Sequence, residues 1–331
     1  MHLIRPAQPS DLGALADLAR HLNTVNLPAD RERLSSMLQD SQAQLDGSDA
    51  PDQAIIFVLE NEHEELQGSA TIIAKHGSPQ APHCFFDVIE EERYSARLEK
   101  VFHHQVLRLG ASFVPRTEIG GLVLHPDMRG MGIGRFLSLS RFQFIANYRS
   151  HFCDYILAEL LPAFDEDGNS PLWNALGHRF TGLTYREADR LSGQEKEFIE
   201  DLFPRTDVHV SLFAPRTQEV IGQVGKATKG ALRLLLQEGF FYTKRIDPFD
   251  GGPHYRAATD DVASVKATRV AQAVEGHGDH PAMVGVKSKD PSNYKAVQTT
   301  MSIHGMHVHL SKEVFERLGV APGADVLVTP L

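Results

Sequence analysis

Short apolar runs alternate along this chain with segments in which apolar residues recur every three or four positions, and that alternation predicts an α/β protein. Leu3, Ile4 and Arg5 read as a first strand. Pro9-Ser10-Asp11 then marks a helix start, with Leu12, Leu15, Ala19 and Leu22 on one face. A second helix is expected over 31–38, followed by a serine- and aspartate-rich loop over 41–52. The stretches 54–60 and 68–75 predict antiparallel strands joined across an acidic turn. Residues 85–88 read as strand, and 101–109 fits either a strand or a helix.

The middle of the chain is more regular. Residues 119–124 form an apolar run suited to a strand buried on both faces, and Ile133, Leu137, Phe144 and Tyr148 follow at helical spacing. Residues 155–161 predict another strand, apolar on both faces apart from Glu159. Ser170-Pro171 predicts a capped helix to residue 180. Further helices are expected over 195–202, 217–224, 230–238 and 262–274, and strands over 208–213 and 240–246. Strands over 295–303, 306–310 and 326–328, with a helix over 312–318, give the tail a β-rich character. The texture changes after residue 257, so the expected division is a domain over 1–257 and a smaller appendage over 258–331.

Composition narrows the class. At 331 residues with 42% hydrophobic and 23% charged residues, the chain is of ordinary globular type. A formal charge of −10 argues against nucleic acid as the main partner. No apolar run approaches a membrane span, and no signal-peptide pattern opens the chain, so neither membrane nor export is expected. Cys84 and Cys153 are the only cysteines, which suits a reducing cytoplasm, and both read as packing residues. His304, His307 and His309 resemble a metal cluster on paper, but no nearby cysteine or carboxylate completes a four-ligand set. These, His103-His104 and His277/His280 read as surface positions, and no metal is expected.

The candidate chemistry centres on residues 117–148. His125-Pro126-Asp127 ends the central strand, and Arg129, Gly130, Gly132 and Gly134 lead into the helix. Strand, glycine loop and helix aim free backbone amides at an anion, usually a phosphate. The spacing matches neither a nucleotide-hydrolysing P-loop nor a clean dinucleotide fingerprint. Arg129-x-x-Gly132-x-Gly134 resembles the loop with which the GNAT superfamily of N-acetyltransferases holds the pyrophosphate of coenzyme A. That resemblance implies a GNAT fold with a mixed central sheet, carrying the small C-terminal β-rich appendage. It also implies acyl-CoA contacts at Leu122, Val123, Leu124, Arg129, Gly130, Gly132, Gly134 and Arg135.

A closer likeness runs along the whole chain. Ser138-x-Ser140-Arg141-Phe142, Ala158-Glu159, Ser170-Pro171-x-Trp173, Val220-Ile221-Gly222-Gln223-Val224 and Asp250-Gly251-Gly252-Pro253 stand in the order found in bacterial arginine N-succinyltransferases. Membership of that family implies transfer of succinyl from succinyl-CoA to the α-amine of L-arginine, in the cytoplasm, by a homodimer or a heterodimer with a paralogue. Leu122 matches a succinyl-CoA contact of the family. In one respect the sequence departs: the family places a proton-donating histidine after I-G-Q-V, where this chain has Gly225. The chain therefore resembles a divergent branch. Other acyl-CoAs or amines such as ornithine, and a non-catalytic acyl-CoA-binding subunit, are the alternative readings.

Amide formation from a thioester needs a neutral amine, donors for the oxyanion and a proton for the thiolate. Glu118 and Glu159 are the best-placed carboxylates for the base, and either matches a guanidinium in two-point geometry. Their bland alternatives are a solvated strand end and a structural ion pair. With glycine at 225, the substitute acid is His209, His178 or Tyr185, or else water.

Overall fold

The computed structural model describes residues 1–22, 27–192 and 197–331. From the start the chain forms β1 (Leu3–Pro6), α1 (Leu12–Leu22), α2 (Arg31–Leu45), β2 (Ala54–Glu60) and β3 (Leu66–His76). A long hairpin follows, β4 (His83–Ser95) and β5 (Lys100–Ser112), then β6 (Arg116–Leu124), α3 (Ile133–Asn147) and β7 (Tyr155–Glu159). Next come α4 (Pro171–Ala175), α5 (Gly177–Thr181), α6 (Tyr185–Ser192), α7 (Glu197–Leu202), β8 (Val208–His209), α8 (Pro215–Gln218) and α9 (Lys229–Gln237). The last part holds β9 (Phe241–Ile246), β10 (Pro253–Ala258), α10 (Ala263–Ala267), β11 (Arg269–Glu275), β12 (His280–Val286), β13 (Ala296–His304), β14 (His307–Leu310), α11 (Lys312–Leu318) and β15 (Asp325–Pro330). The chain divides into two compact units: residues 1–76, 116–156 and 258–331 make the first, and residues 77–115 and 157–257 the second. In the first unit the ladders β1–β2, β2–β3 and β3–β6 are antiparallel, and a parallel pair, β11–β14, lies among the C-terminal strands.

In the first unit β2 and β3 pair antiparallel, as the alternating pattern predicts, and β6 pairs antiparallel with β3. Helix α2 runs on to Leu45, well past the expected end at residue 38. Asp30 caps it by accepting from the amides of Glu32 and Arg33, and the buried Ser41 hydroxyl accepts from the Ile56 amide. This polar stretch is helical because its polar groups are used by a neighbouring strand.

Strands β11 to β15 close on themselves in the order β12-β15-β11-β14-β13, with β13 pairing back to β12. A closed barrel leaves few strand edges open. Ala271, Ala273, Val284, Val308, Val326 and Val328 fill it, and α11 seals it through Val314, Phe315 and Leu318. The barrel is not separate from the rest of its unit. Leu3 and Ile4 of β1 pair with Val297 and Ala296 of β13. The boundary near residue 257 coincides with a unit boundary, but 258–331 belongs to the same unit as the chain's first 76 residues. The helix expected over 262–274 is a correction as well: only Ala263–Ala267 is helical, and β11 alternates with Ala271 and Ala273 inward. Alanine's high helix propensity hid a period of two.

The second unit has strand order β7-β10-β9-β4-β5-β8. Its core packs Phe86, Leu107, Leu172, Trp173 and Phe249, with Trp173 stacked on Phe249 at 5.1 Å. The Ser170 hydroxyl accepts from the Trp173 amide, the cap that Ser170-Pro171 predicts. The helix it opens breaks at Leu176, between α4 and α5. Residues 101–109 are strand. The strand expected over 208–213 is only β8, because a 3-10 turn takes Val210–Leu212, and the helix over 217–224 shrinks to α8. Of the helix expected over 195–202, residues 195 and 196 lie outside the described residues and the rest is α7. No described helix is long and apolar enough to cross a membrane.

Candidate active site

Strand β6 is bulged at the point where the sequence places the chemistry. Ser69 faces Val123 and Thr71 faces Gly120, so Gly121 and Leu122 together stand against Ala70. An extra residue breaks the ladder locally and turns backbone groups away from the partner strand. Gly121 has φ +54°, and a Cβ there would lie 2.7 Å from the Thr71 hydroxyl. Only glycine fits. From α3, the buried Arg141 reaches back: Nη1 donates to the Gly120 carbonyl at 3.0 Å, and Nη2 to the Ser138 hydroxyl at 2.7 Å. Burial lowers the Arg141 pKa to about 10, so the guanidinium stays charged at neutral pH. The Leu122 side chain is exposed, Val123 is buried and Leu124 half-buried.

Past the bulge, the His125 amide donates to Gln67 O and a single 3-10 turn, Pro126–Met128, carries the chain to the glycines. Gly130 and Gly132 have φ +81° and +78°, and open space lies where each Cβ would point. Gly132 caps the N-terminus of α3. Gly134 serves packing: a Cβ there would meet the Leu124 side chain at 2.9 Å. Arg129 and Arg135 are exposed, and neither has an ion-pair partner among the described residues. The end of a four-turn helix, two glycines in left-handed conformation and two free guanidinium groups suit a phosphate-bearing ligand.

Among the described residues, each unit brings imidazoles and carboxylates together near one of the two strand glutamates. In the first, Glu118 of β6 is largely buried, and its Oε2 lies 3.5 Å from Nε2 of His76; the other ring nitrogen of His76 is 2.6 Å from Asp52 Oδ1. In the second, Glu159 Oε1 lies 2.7 Å from His83 Nε2 and 3.4 Å from His254 Nε2, and the two imidazoles stack at 5.2 Å. Glu159, Asp247 and His254 each offer a ligand atom within 4.8 Å of the others, a grouping with the donors for a divalent cation. Nearby Asp250 is fully buried, and burial, then the charges of Asp247 and Glu159, push its pKa well above the usual carboxylate range.

The candidates for the acid fare unequally. His209 stands on β8, at the far end of the second unit's strand order from β7 and Glu159, with its ring against His104. The structure does not bring it to Glu159. His178 is exposed and pairs with the Leu183 carbonyl; Tyr185 is buried, and burial raises its pKa. At Gly225 the amide donates to Leu161 O, and a Cβ would meet the Pro162 carbonyl oxygen at 2.5 Å. Backbone fills the space a side chain would need. Burial raises the Cys153 thiol, consistent with packing, while Cys84 is buried. His76, Asp52, His83 and His254 are invisible to sequence reasoning. They share no spacing motif, and only strand pairing brings them to their carboxylates.

A bulged strand feeding a glycine loop and a helix N-terminus, with a largely buried carboxylate on the same strand, suits an acyltransferase whose donor carries phosphates. A profile of the family described as arginine N-succinyltransferase beta subunit matches residues 2–264. Arginine N-succinyltransferases of Shigella boydii serotype 18 and Escherichia coli O139:H28 are 31% identical, over 95% of this chain and 96% of theirs. The solved structure of arginine/ornithine succinyltransferase subunit AI from Pseudomonas aeruginosa superposes with a TM-score of 0.86 at 30% identity, covering 100% of this chain and 98% of that one. The chain belongs to the arginine N-succinyltransferase family.

Proposed function

We propose that this protein transfers the succinyl group of succinyl-CoA to the α-amine of L-arginine, in the cytoplasm. The observation that carries the reading is the continuous run of bulged β6, glycine loop and α3 N-terminus within residues 2–264, the part that matches the family model. In this reading the α3 amides with Arg129 and Arg135 hold the phosphates, and Gly130 and Gly132 let them approach closely. The backbone of Leu122, Val123 and Leu124 pairs with the pantetheine arm and offers amides to the oxyanion. The amine enters as an ammonium, and Glu118 takes its proton. The nitrogen attacks the thioester carbonyl, the C–S bond breaks, and the second proton that the nitrogen sheds passes through water to the leaving thiolate. Glu118 is preferred as base over Glu159 because it lies on the strand that carries the bulge, three residues before Gly121.

The test is thiol release from succinyl-CoA by the purified protein, with and without arginine, beside ornithine and acetyl-CoA. Arginine-dependent release specific to succinyl-CoA is expected, and Glu118→Gln should lower kcat by at least about a hundredfold, the usual share of a general base. Tight binding of succinyl-CoA without turnover on any amine would instead indicate an acyl-CoA-binding subunit. Faster release with ornithine would move the acceptor.

A second subunit is also proposed, a further copy of this chain or a paralogue. The outer part of the β4–β5 hairpin pairs with no other described strand and exposes Tyr94, Leu98, Val101 and Phe102. Two-stranded ribbons are marginal in water without a packed face. Light scattering should report a dimer that Phe102→Glu with Leu98→Glu dissociates; a monomer at all concentrations would leave only the paralogue.

A further inference from the structure

We infer that His76 and Asp52 are a proton path behind Glu118, carrying the proton of each turnover from the base toward solvent. The inference rests on the assignment of Glu118 as the base. Its ground is the geometry of three side chains from separate segments of the first unit. His76, at the end of β3, is almost completely enclosed, with 7% of its side chain exposed. One ring nitrogen is 2.6 Å from Asp52 and the other 3.5 Å from Glu118. The imidazole is therefore bracketed by two carboxylates. Of the two carboxylates, Asp52 is the more open to solvent, with 32% of its side chain exposed against 17% for Glu118. Asp52 is held for this contact: it takes φ +60°, a conformation aspartate tolerates better than most residues, and its amide donates to Lys75 O.

The reaction requires such a path. An ammonium and a thioester become an amide, a thiol and one free proton, so every turnover leaves one proton on the base. Glu118 is mostly enclosed and must lose that proton before the next amine arrives. Imidazole suits the task because it can accept a proton on Nε2 from Glu118 and release one from Nδ1 to Asp52. One proton enters at Nε2 and one leaves from Nδ1 through Asp52 to water, and exchange of the ring protons with water, one lost from Nε2 and one gained at Nδ1, restores the starting tautomer with no other reagent. The 3.5 Å gap is of the kind that closes when substrate orders the site. His76 and Asp52 touch no reacting atom in this scheme, so they are positioning residues.

The experiment uses His76→Gln, Asp52→Asn and Glu118→Gln in the full chain, with steady-state thiol release from succinyl-CoA and arginine. Glutamine keeps the size of histidine and its ability to bridge two oxygens, but it does not relay protons. His76→Gln should lower kcat on the order of tenfold, a part of the general-base contribution, with both KM values within about twofold. Added imidazole should restore part of that loss, and Asp52→Asn should show a smaller fall of the same kind. Unchanged kcat in His76→Gln, or a loss that imidazole leaves untouched, overturns the path while a dead Glu118→Gln keeps the base. Full activity of Glu118→Gln removes the base itself. Where His76→Gln fails to fold, Asp52→Asn decides: a lowered kcat at constant KM supports the path, and an unchanged one overturns it.

Discussion

Single positions decide which side chains can take part. Gly225 has an ordinary backbone conformation, φ −66°, so its glycine is required by space rather than by dihedral angle. The Pro162 carbonyl oxygen and carbon lie 2.5 Å and 2.9 Å from where a Cβ would stand. Both are main-chain atoms, which cannot swing aside as a side-chain tip would. Gly225→Ala should therefore destabilise by about 2 kcal/mol through overpacking, and Gly225→His by more, both read from urea unfolding. A Gly225→His variant with unchanged stability and raised kcat would show that the loop yields and that an acid is welcome there. The glycine is plain in the sequence. Nothing in the sequence tells of the carbonyl that excludes everything else.

Elements are legible where local pattern and tertiary role agree. The strands 54–60 and 68–75, the helix after the glycine loop and the helix Lys312–Leu318 follow their periodicity closely. The departures share a cause. Residues 41–45 are polar yet helical, since Ser41 serves β2; residues 269–275 contain alanines, yet form a strand inside a closed barrel. In both cases a long-range partner outweighs local preference. The β6 bulge belongs with these. Gly120-Gly121 hints at irregularity, but only the register against β3 and the hydrogen bond from Arg141 show which residues face away from the ladder.

Across the first unit, the beginning and the last seventy residues of the chain hold one another. Arg5 of β1 donates to Glu60 of β2 at 2.9 Å and to Asp11, while Arg317 of α11 reaches the other oxygen of Glu60 at 3.3 Å. All four side chains are mostly enclosed, so removing one partner strands charge away from water. Glu60→Ala is expected to cost about 3 kcal/mol, measured by thermal or urea unfolding, whereas a surface pair such as Lys266–Asp261 should cost little. A loss below about 1 kcal/mol, the range of an exposed pair, would mean the barrel is held by the β1–β13 ladder and apolar packing alone. The appendage expected from texture is, in contact terms, part of the unit that carries the glycine loop.

The sequence by itself determined the order of most elements, the glycine loop with its arginines, the two strand carboxylates and the family. Each of these is written in neighbouring residues, through periodicity, caps and short motifs. Tertiary structure alone decided what stands next to those carboxylates, because His83 and Glu159 are 76 positions apart and His76 and Asp52 are 24. No local propensity encodes such a meeting. It follows from strand register, and register is set by the whole pattern of buried faces at once.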